Sequence, residues 1–158
     1  MLVMLLLLTF YGATEAATVT LTEAGWGAHN YPWPAPQMIR ISIDCITSQP
    51  YVMLFISLEG GDVGDDGVRI NWFPDDIMLQ IYCPNAARVT KVYPFTPDCS
   101  GGGNVTYTVQ WTIEEIRVVH QGVLVAVRQR DSGCVARPDK WRLFLDKAIR
   151  VTAYTDEG

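Results

Sequence analysis

The sequence predicts an all-β protein: an antiparallel β-sandwich of jelly-roll type, about ten strands, stapled by disulfides. Two observations carry this. Apolar residues recur at every second position along most of the chain. Gly- and Pro-rich turn signals break those runs at intervals of roughly ten residues. The chain has 158 residues, about half of them apolar. That size and composition fit one folded domain over residues 17–158.

The first element is not a strand. "MLVMLLLLTF" is an unbroken apolar run, followed by the small residues of "GATEAA". It is short for a membrane span and has the length of a secretory h-region. Residues 1–16 are therefore expected to be a signal peptide. Cleavage after Ala16 leaves Thr14 and Ala16 at the small-residue positions. No second apolar span follows, so the mature chain is expected to lack a membrane span.

The strands come next, in order. "MIRISIDCI" places Ile39, Ile41, Ile43 and Cys45 on one face and Arg40, Ser42 and Asp44 on the other. "YVMLFISLE" is a more continuous apolar run, as expected deep in a sandwich. "GVRINW" and "IMLQIYC" follow, split by the turn-forming "FPDD". "ARVTKVY" puts Val89, Lys91 and Tyr93 on one side. "NVTYTVQW" alternates Val105, Tyr107, Val109 and Trp111 against Thr106, Thr108 and Gln110. "WRLFL" and "AIRVTAY" close the chain. Trp72, Trp111 and Trp141 fall on strands and are expected in the core.

"WTIEEIRVVHQGVLVAV" needs its own argument, because it holds Glu114, Glu115 and His120 together. As a helix it would be crowded with β-branched residues and carry Gly122 inside. As a hairpin it gives two strands bent at Gln121-Gly122, with Gly122 supplying a positive φ. Adjacent strand residues point to opposite faces. Glu114 and Glu115 then cannot flank one substrate as a glycosidase pair does.

Four cysteines, Cys45, Cys83, Cys99 and Cys134, lie in the mature part. An even count in an exported chain predicts two disulfides, with three connectivities open. Their wide spacing does not match zinc sites. Asn104-Val105-Thr106 is a glycosylation sequon, which makes Asn104 a candidate modification site.

Two loops are candidate binding sites. Asp62, Asp65 and Asp66 lie in "GGDVGDDG". Clustered carboxylates with flexible Gly suit a hard cation such as Ca²⁺, which takes roughly six to eight oxygens. The same residues also make ordinary solvated turns. Trp26, Tyr31 and Trp33 lie in "GWGAHNYPWPAP", read as a loop. Exposed aromatics there would stack on a sugar or fill a ligand pocket; buried ones would cover the end of the sandwich.

Charge and motifs narrow the classes. The formal net charge is −5, and no basic run supports nucleic-acid binding. Neither HExxH nor GxSxG occurs, and oxidised cysteines would not serve as nucleophiles.

The order "YTVQW", "EEIRVVHQGVLVAV", "WRLFLDKAIRVTAYTDEG" resembles the farnesoic acid O-methyltransferase-like domain of extracellular proteins. "IRISIDCITSQPYVMLFISLEG" is similar to that domain's early strands, and "VRINWFPDDIMLQIYC" to its central pair. The resemblance covers most of residues 36–158. The same Trp strand and hairpin occur in laminin-G-like and other jelly-roll lectin folds. The resemblance implies pairing of Cys45 with Cys99 and of Cys83 with Cys134. The methyltransferase activity in the family's name does not transfer. A nucleoside methyl donor is held by a Gly-rich turn between strand and helix, and no such unit is present here. The reading is a secreted, non-enzymatic module that recognises an extracellular glycan or protein. A self-associating matrix protein is the alternative.

Overall fold

The computed structural model describes residues 18–27, 38–45, 51–58, 67–82, 89–112, 115–129 and 138–155. Among these, twelve strands form two six-stranded antiparallel sheets, and there is no helix. They are β1 (Thr18–Leu21), β2 (Gly25–Gly27), β3 (Met38–Asp44), β4 (Val52–Leu58), β5 (Gly67–Trp72) and β6 (Asp76–Tyr82), then β7 (Val89–Pro94), β8 (Asn104–Trp111), β9 (Glu115–His120), β10 (Val123–Gln129), β11 (Pro138–Leu145) and β12 (Val151–Thr155). Sheet A runs β1-β12-β3-β8-β9-β10, and sheet B runs β2-β11-β4-β5-β6-β7. The chain crosses repeatedly between sheets, as a jelly roll does.

The core lies between the sheets and follows from the alternation. Ile39, Ile41 and Ile43 of β3 and Val105, Tyr107, Val109 and Trp111 of β8 face inward from sheet A. Leu54 and Ile56 of β4, Ile70 and Trp72 of β5, Ile77 and Leu79 of β6, and Trp141 and Leu143 of β11 meet them from sheet B. All three expected core tryptophans are buried. Leu54, Ile70, Ile77, Leu79, Ile116 and Trp141 are fully enclosed, and each of the five aliphatic side chains is worth roughly 1.5–3 kcal/mol of burial.

The β9–β10 hairpin forms as its sequence requires. Gly122 has φ +78° and Gln121 has φ +49°. Two positive φ values make the two-residue turn whose twist matches the flanking strands. β10 is an edge strand, and its register slips between Leu124 and Ala126. A bulge on an edge interrupts the template that a further strand would pair with. The two sheets are tied where β7 meets β10: the Tyr93 hydroxyl donates to the carbonyl of Val127.

At the other end, Cys45 and Cys99 form a disulfide, the pairing the family resemblance implied. It joins the end of β3 to the β7–β8 connection. Cys45 N–H also donates to Gly103 O (2.8 Å) and Gly102 N–H to Cys99 O (3.1 Å). Cys83, Cys134 and the expected signal peptide lie outside the described residues. Among the described residues, no helix is long and apolar enough to cross a membrane.

Trp26 corrects one expectation. The sequence reading placed it in a loop, but its backbone belongs to β2, paired with β11. "GWG" spans only three residues, too few for a period-two pattern to register.

Candidate functional site

A strand sends alternate side chains to opposite faces. The inward set of sheet B therefore fixes its outer set. Two rows cross the outer face. One passes Arg142, Phe55, Arg69, Gln80 and Thr90 on β11, β4, β5, β6 and β7. The other passes Phe144, Met53, Asn71, Met78 and Val92 on the same strands. The backbone of position 26 on β2 is in register with Phe144.

Within these rows the contacts have a clear chemical order. The Arg69 guanidinium lies 4.5 Å from the Tyr82 ring centre and 5.5 Å from that of Phe55. Phe55 packs beside Gly67: a Cβ at Gly67 would come within 2.8 Å of the Phe55 ring and 2.4 Å of Ile56 O. Phe55 and Tyr82 are buried although they sit on the outer side, so the aromatics form a bed beneath the arginine. Tyr51 stacks on Phe144 and Phe73, with centroids 5.5 and 5.6 Å apart, and extends the aromatic layer.

Toward β7 the face becomes polar. Asn71 Nδ2 donates to Gln80 Oε1 (3.5 Å), and Gln80 Nε2 donates to Thr90 Oγ1 (3.4 Å). Bonds this long are weak, and Asn71 at the start of the ladder is buried. Thr90 and Val92 are exposed at the rim.

A cavity of about 40 Å³ opens at the disulfide end, lined in part by Val52, Trp72, Pro97, Cys99 and Tyr107. A cavity near 150 Å³ is what encloses a benzene ring. This one has room for a few waters and not for a sugar ring. On the outer side of sheet B, Met53, Phe55, Asn71 and Tyr82 are buried, Arg69 and Gln80 are half-buried, and Thr90 and Val92 are exposed.

The Glu115–His120 segment is structural. Arg117 Nε pairs with Glu115 Oε1, and Gln129 Nε2 donates to Glu115 Oε2 (2.8 Å). The Glu115 backbone is tied to Thr112, whose N–H donates to Glu115 O (2.9 Å). His120 Nδ1 lies 2.9 Å from Thr106 O, and its ring packs against Phe95 and Tyr107. Glu114 lies outside the described residues.

Of the binding candidates singled out from sequence, Trp26 has its backbone on β2, in register with Phe144. Tyr31, Trp33, Asp62, Asp65 and Asp66 lie outside the described residues. Among the described residues, no group of His, Cys, Asp and Glu is placed to hold a metal. Asn104 opens β8 and is exposed. Val105 faces the core, so Asn104 and Thr106 stand on the outer face of sheet A, where Thr106 Oγ1 donates to Ser42 Oγ (3.3 Å). Sequence reasoning missed Phe55, Arg69 and Gln80. The available signal was polar Arg69 and Asn71 interleaved with Val68, Ile70 and Trp72 in "GVRINW".

No family model and no curated protein matches the chain. Solved structures do. The chain is similar to sheep galectin-11 in complex with glycerol at 11% identity and TM-score 0.54, over 88% of this chain and 96% of that one. It is similar to the CBM40 of Ruminococcus gnavus IT-sialidase bound to α2,6 sialyllactose at 12% identity and TM-score 0.52, over 89% and 93%. A Bacteroides ovatus GH16 protein in complex with a G4G4G3G product matches at 11% identity and TM-score 0.55, over 87% and 77%. At these identities the likeness establishes a shared jelly-roll sandwich fold.

Proposed function

We propose that this chain is a secreted recognition module that binds glycans on the outer face of sheet B. The observation that carries the reading is the row Phe55–Arg69–Gln80–Thr90, an aromatic bed with a guanidinium on it and an amide–hydroxyl ladder beside it. Sugars need both halves of that surface. Their C–H faces stack on aromatic layers, and their hydroxyls exchange hydrogen bonds with amides and guanidinium. In this row Arg69 and Gln80 are half-buried and Thr90 is exposed, while Phe55 is buried beneath them.

Three further features support the reading. Galectin-11 and the sialyllactose-bound CBM40 share the fold. The Cys45–Cys99 disulfide suits an oxidising compartment. The apolar N-terminal run and the sequon at Asn104 belong to the same route, with Asn104 as the glycosylated residue. The resemblance to the farnesoic acid O-methyltransferase-like domain is part of this proposal as a fold relation, without methyl transfer.

A glycan array probed with the full secreted chain, with and without calcium, tests it. Binding to a defined glycan set, weakened about tenfold by Gln80→Ala through loss of a ligand hydrogen bond, is the expected result. Binding only with calcium would bring Asp62, Asp65 and Asp66 into the site. An array blank in both conditions would sink the reading.

A further inference from the structure

We propose that the free edge of β7 docks an extended peptide of a partner protein, which adds to sheet B as a further strand and sets a carboxylate opposite Lys91. This uses the edge of the sheet rather than its face, and it stands apart from the glycan reading.

The two sheets end, among the described residues, in four edge strands: β1 and β10 in sheet A, β2 and β7 in sheet B. An open edge is a row of unpaired N–H and C=O groups, and proteins blunt such rows. Three of the four are blunted. β1 has four residues and β2 three. β10 is broken by its bulge, and its Val127 carbonyl is taken by Tyr93. β7 is different. Its six residues keep an unbroken register with β6, from Val89 opposite Ile81 to Pro94 opposite Asp76. Thr90, Lys91 and Val92 are all exposed, Val92 by 51%.

One bond fixes the direction of the backbone groups. Phe95 N–H donates to Asp75 O (3.1 Å), in the same register. Hydrogen-bonded pairs alternate along an antiparallel ladder. Val89, Lys91 and Tyr93 therefore turn their backbone groups toward β6. Thr90 and Val92 turn theirs outward, where no strand among the described residues pairs with them. An incoming antiparallel strand can exchange both bonds with each of these two residues.

The charge on the edge selects the occupant. Lys91 lies between Thr90 and Val92, so it meets the added strand across a non-hydrogen-bonded pair, where Cα atoms are about 4.5 Å apart and side chains are closest. Its Nζ stands over the Tyr93 ring (4.8 Å) and makes no ion pair among the described residues. An opposite charge across such a pair stabilises, and a like charge destabilises. A second copy of β7 fits badly for that reason. The two-fold register that uses both Thr90 and Val92 sets Lys91 of one copy against Lys91 of the other. Sliding by two residues sets Thr90 against Pro94, which has no N–H to donate. The matching strand, read antiparallel, carries an apolar residue opposite Val92, an acid opposite Lys91 and a hydroxyl residue opposite Thr90.

The test uses calorimetry and amide hydrogen exchange on the full chain, with a synthetic peptide holding Val-Glu-Thr between Gly-Ser flanks. Binding is expected to slow exchange of the Thr90 and Val92 amides about tenfold or more. A Val-Lys-Thr peptide should bind about five- to tenfold more weakly, and Lys91→Glu should reverse that order. N-methylation of the peptide's Val and Thr removes two donated bonds and should weaken binding about tenfold or more. Val92→Pro deletes one outward N–H, at the kind of edge position where proline is tolerated, and should weaken binding about three- to tenfold. If Val92→Pro does not fold, the exposed Lys91→Glu change still reads the register. An N-methylated peptide that binds as tightly as its parent overturns strand addition. So do unchanged exchange at Thr90 and Val92, and no binding of any peptide. A dimer of the chain alone in sedimentation, dissolved by Val92→Pro, overturns the choice of occupant in favour of a second copy.

Discussion

Gly67 shows how one missing side chain shapes the candidate face. Its neighbours leave no room for a Cβ, and the nearest obstacle is backbone, Ile56 O at 2.4 Å. Backbone cannot swing aside as a side chain can. Gly67→Ala should cost about 1–3 kcal/mol as an overpacking change, read as a lower Tm, and it should weaken glycan binding because Phe55 must tilt. A variant as stable as the parent would mean that β4 and β5 are not paired as described. Tyr107 makes a second prediction at this scale. It is buried between Trp72 and His120, and that burial raises its pKa above the usual 10.0. The folded state thus holds the phenol proton more tightly than the unfolded chain. Stability is unaffected by this group below pH 10 and falls as pH rises above it, because the unfolded tyrosine ionises first. Tyr107→Phe should flatten that alkaline loss in pH-dependent denaturant melts, and an unchanged alkaline limb would assign the loss to other groups.

The elements differ in how openly the sequence announces them. β3 to β12 each carry at least five residues, enough for alternation to separate an inner from an outer face. β1 and β2 are shorter and pair only at sheet edges, so neither leaves a pattern. The candidate site was hidden for a different reason. Phe55, Arg69 and Gln80 meet because β4, β5 and β6 align in one register, and register is a property of strand pairs, not of any single run. The Cys45–Cys99 pairing was equally closed to spacing arguments; the family resemblance implied it. The disulfide joins positions 54 apart in sequence. Constraining an unfolded loop of that length contributes about 4 kcal/mol in the chain-entropy account. The double variant Cys45→Ser, Cys99→Ser should lose about that much in urea denaturation. A loss under about 1 kcal/mol would show that the Cys45–Gly103 and Gly102–Cys99 backbone bonds already fix this end of the sandwich, since each such bond is worth about that much.

Across the whole molecule, each outer face carries its own set of groups. Sheet B carries Phe55, Arg69 and Tyr82. Sheet A carries hydroxyls, Thr20 beside Thr152 (3.2 Å) and Ser42 beside Thr106, together with Arg40 over the Tyr154 ring (4.9 Å) and Asn104 at its rim, in register with Asp44. Two packed sheets are about 10 Å apart, so a sugar chain attached at Asn104 stands on the far side of the protein from the proposed ligand. Sites separated by more than about 10 Å act on free energy almost independently, within about 0.5 kcal/mol. In protein secreted from a glycosylating host, Asn104→Gln should remove one glycan mass and leave affinity for the glycans bound on the array within about twofold. Mass spectrometry reads the first effect and calorimetry the second. If the substitution changed affinity tenfold, the ligand would have to lie on sheet A, because only there could a group at position 104 reach it. The sandwich thus converts a question about binding into one about sides, and one substitution on the outer face of sheet A decides it.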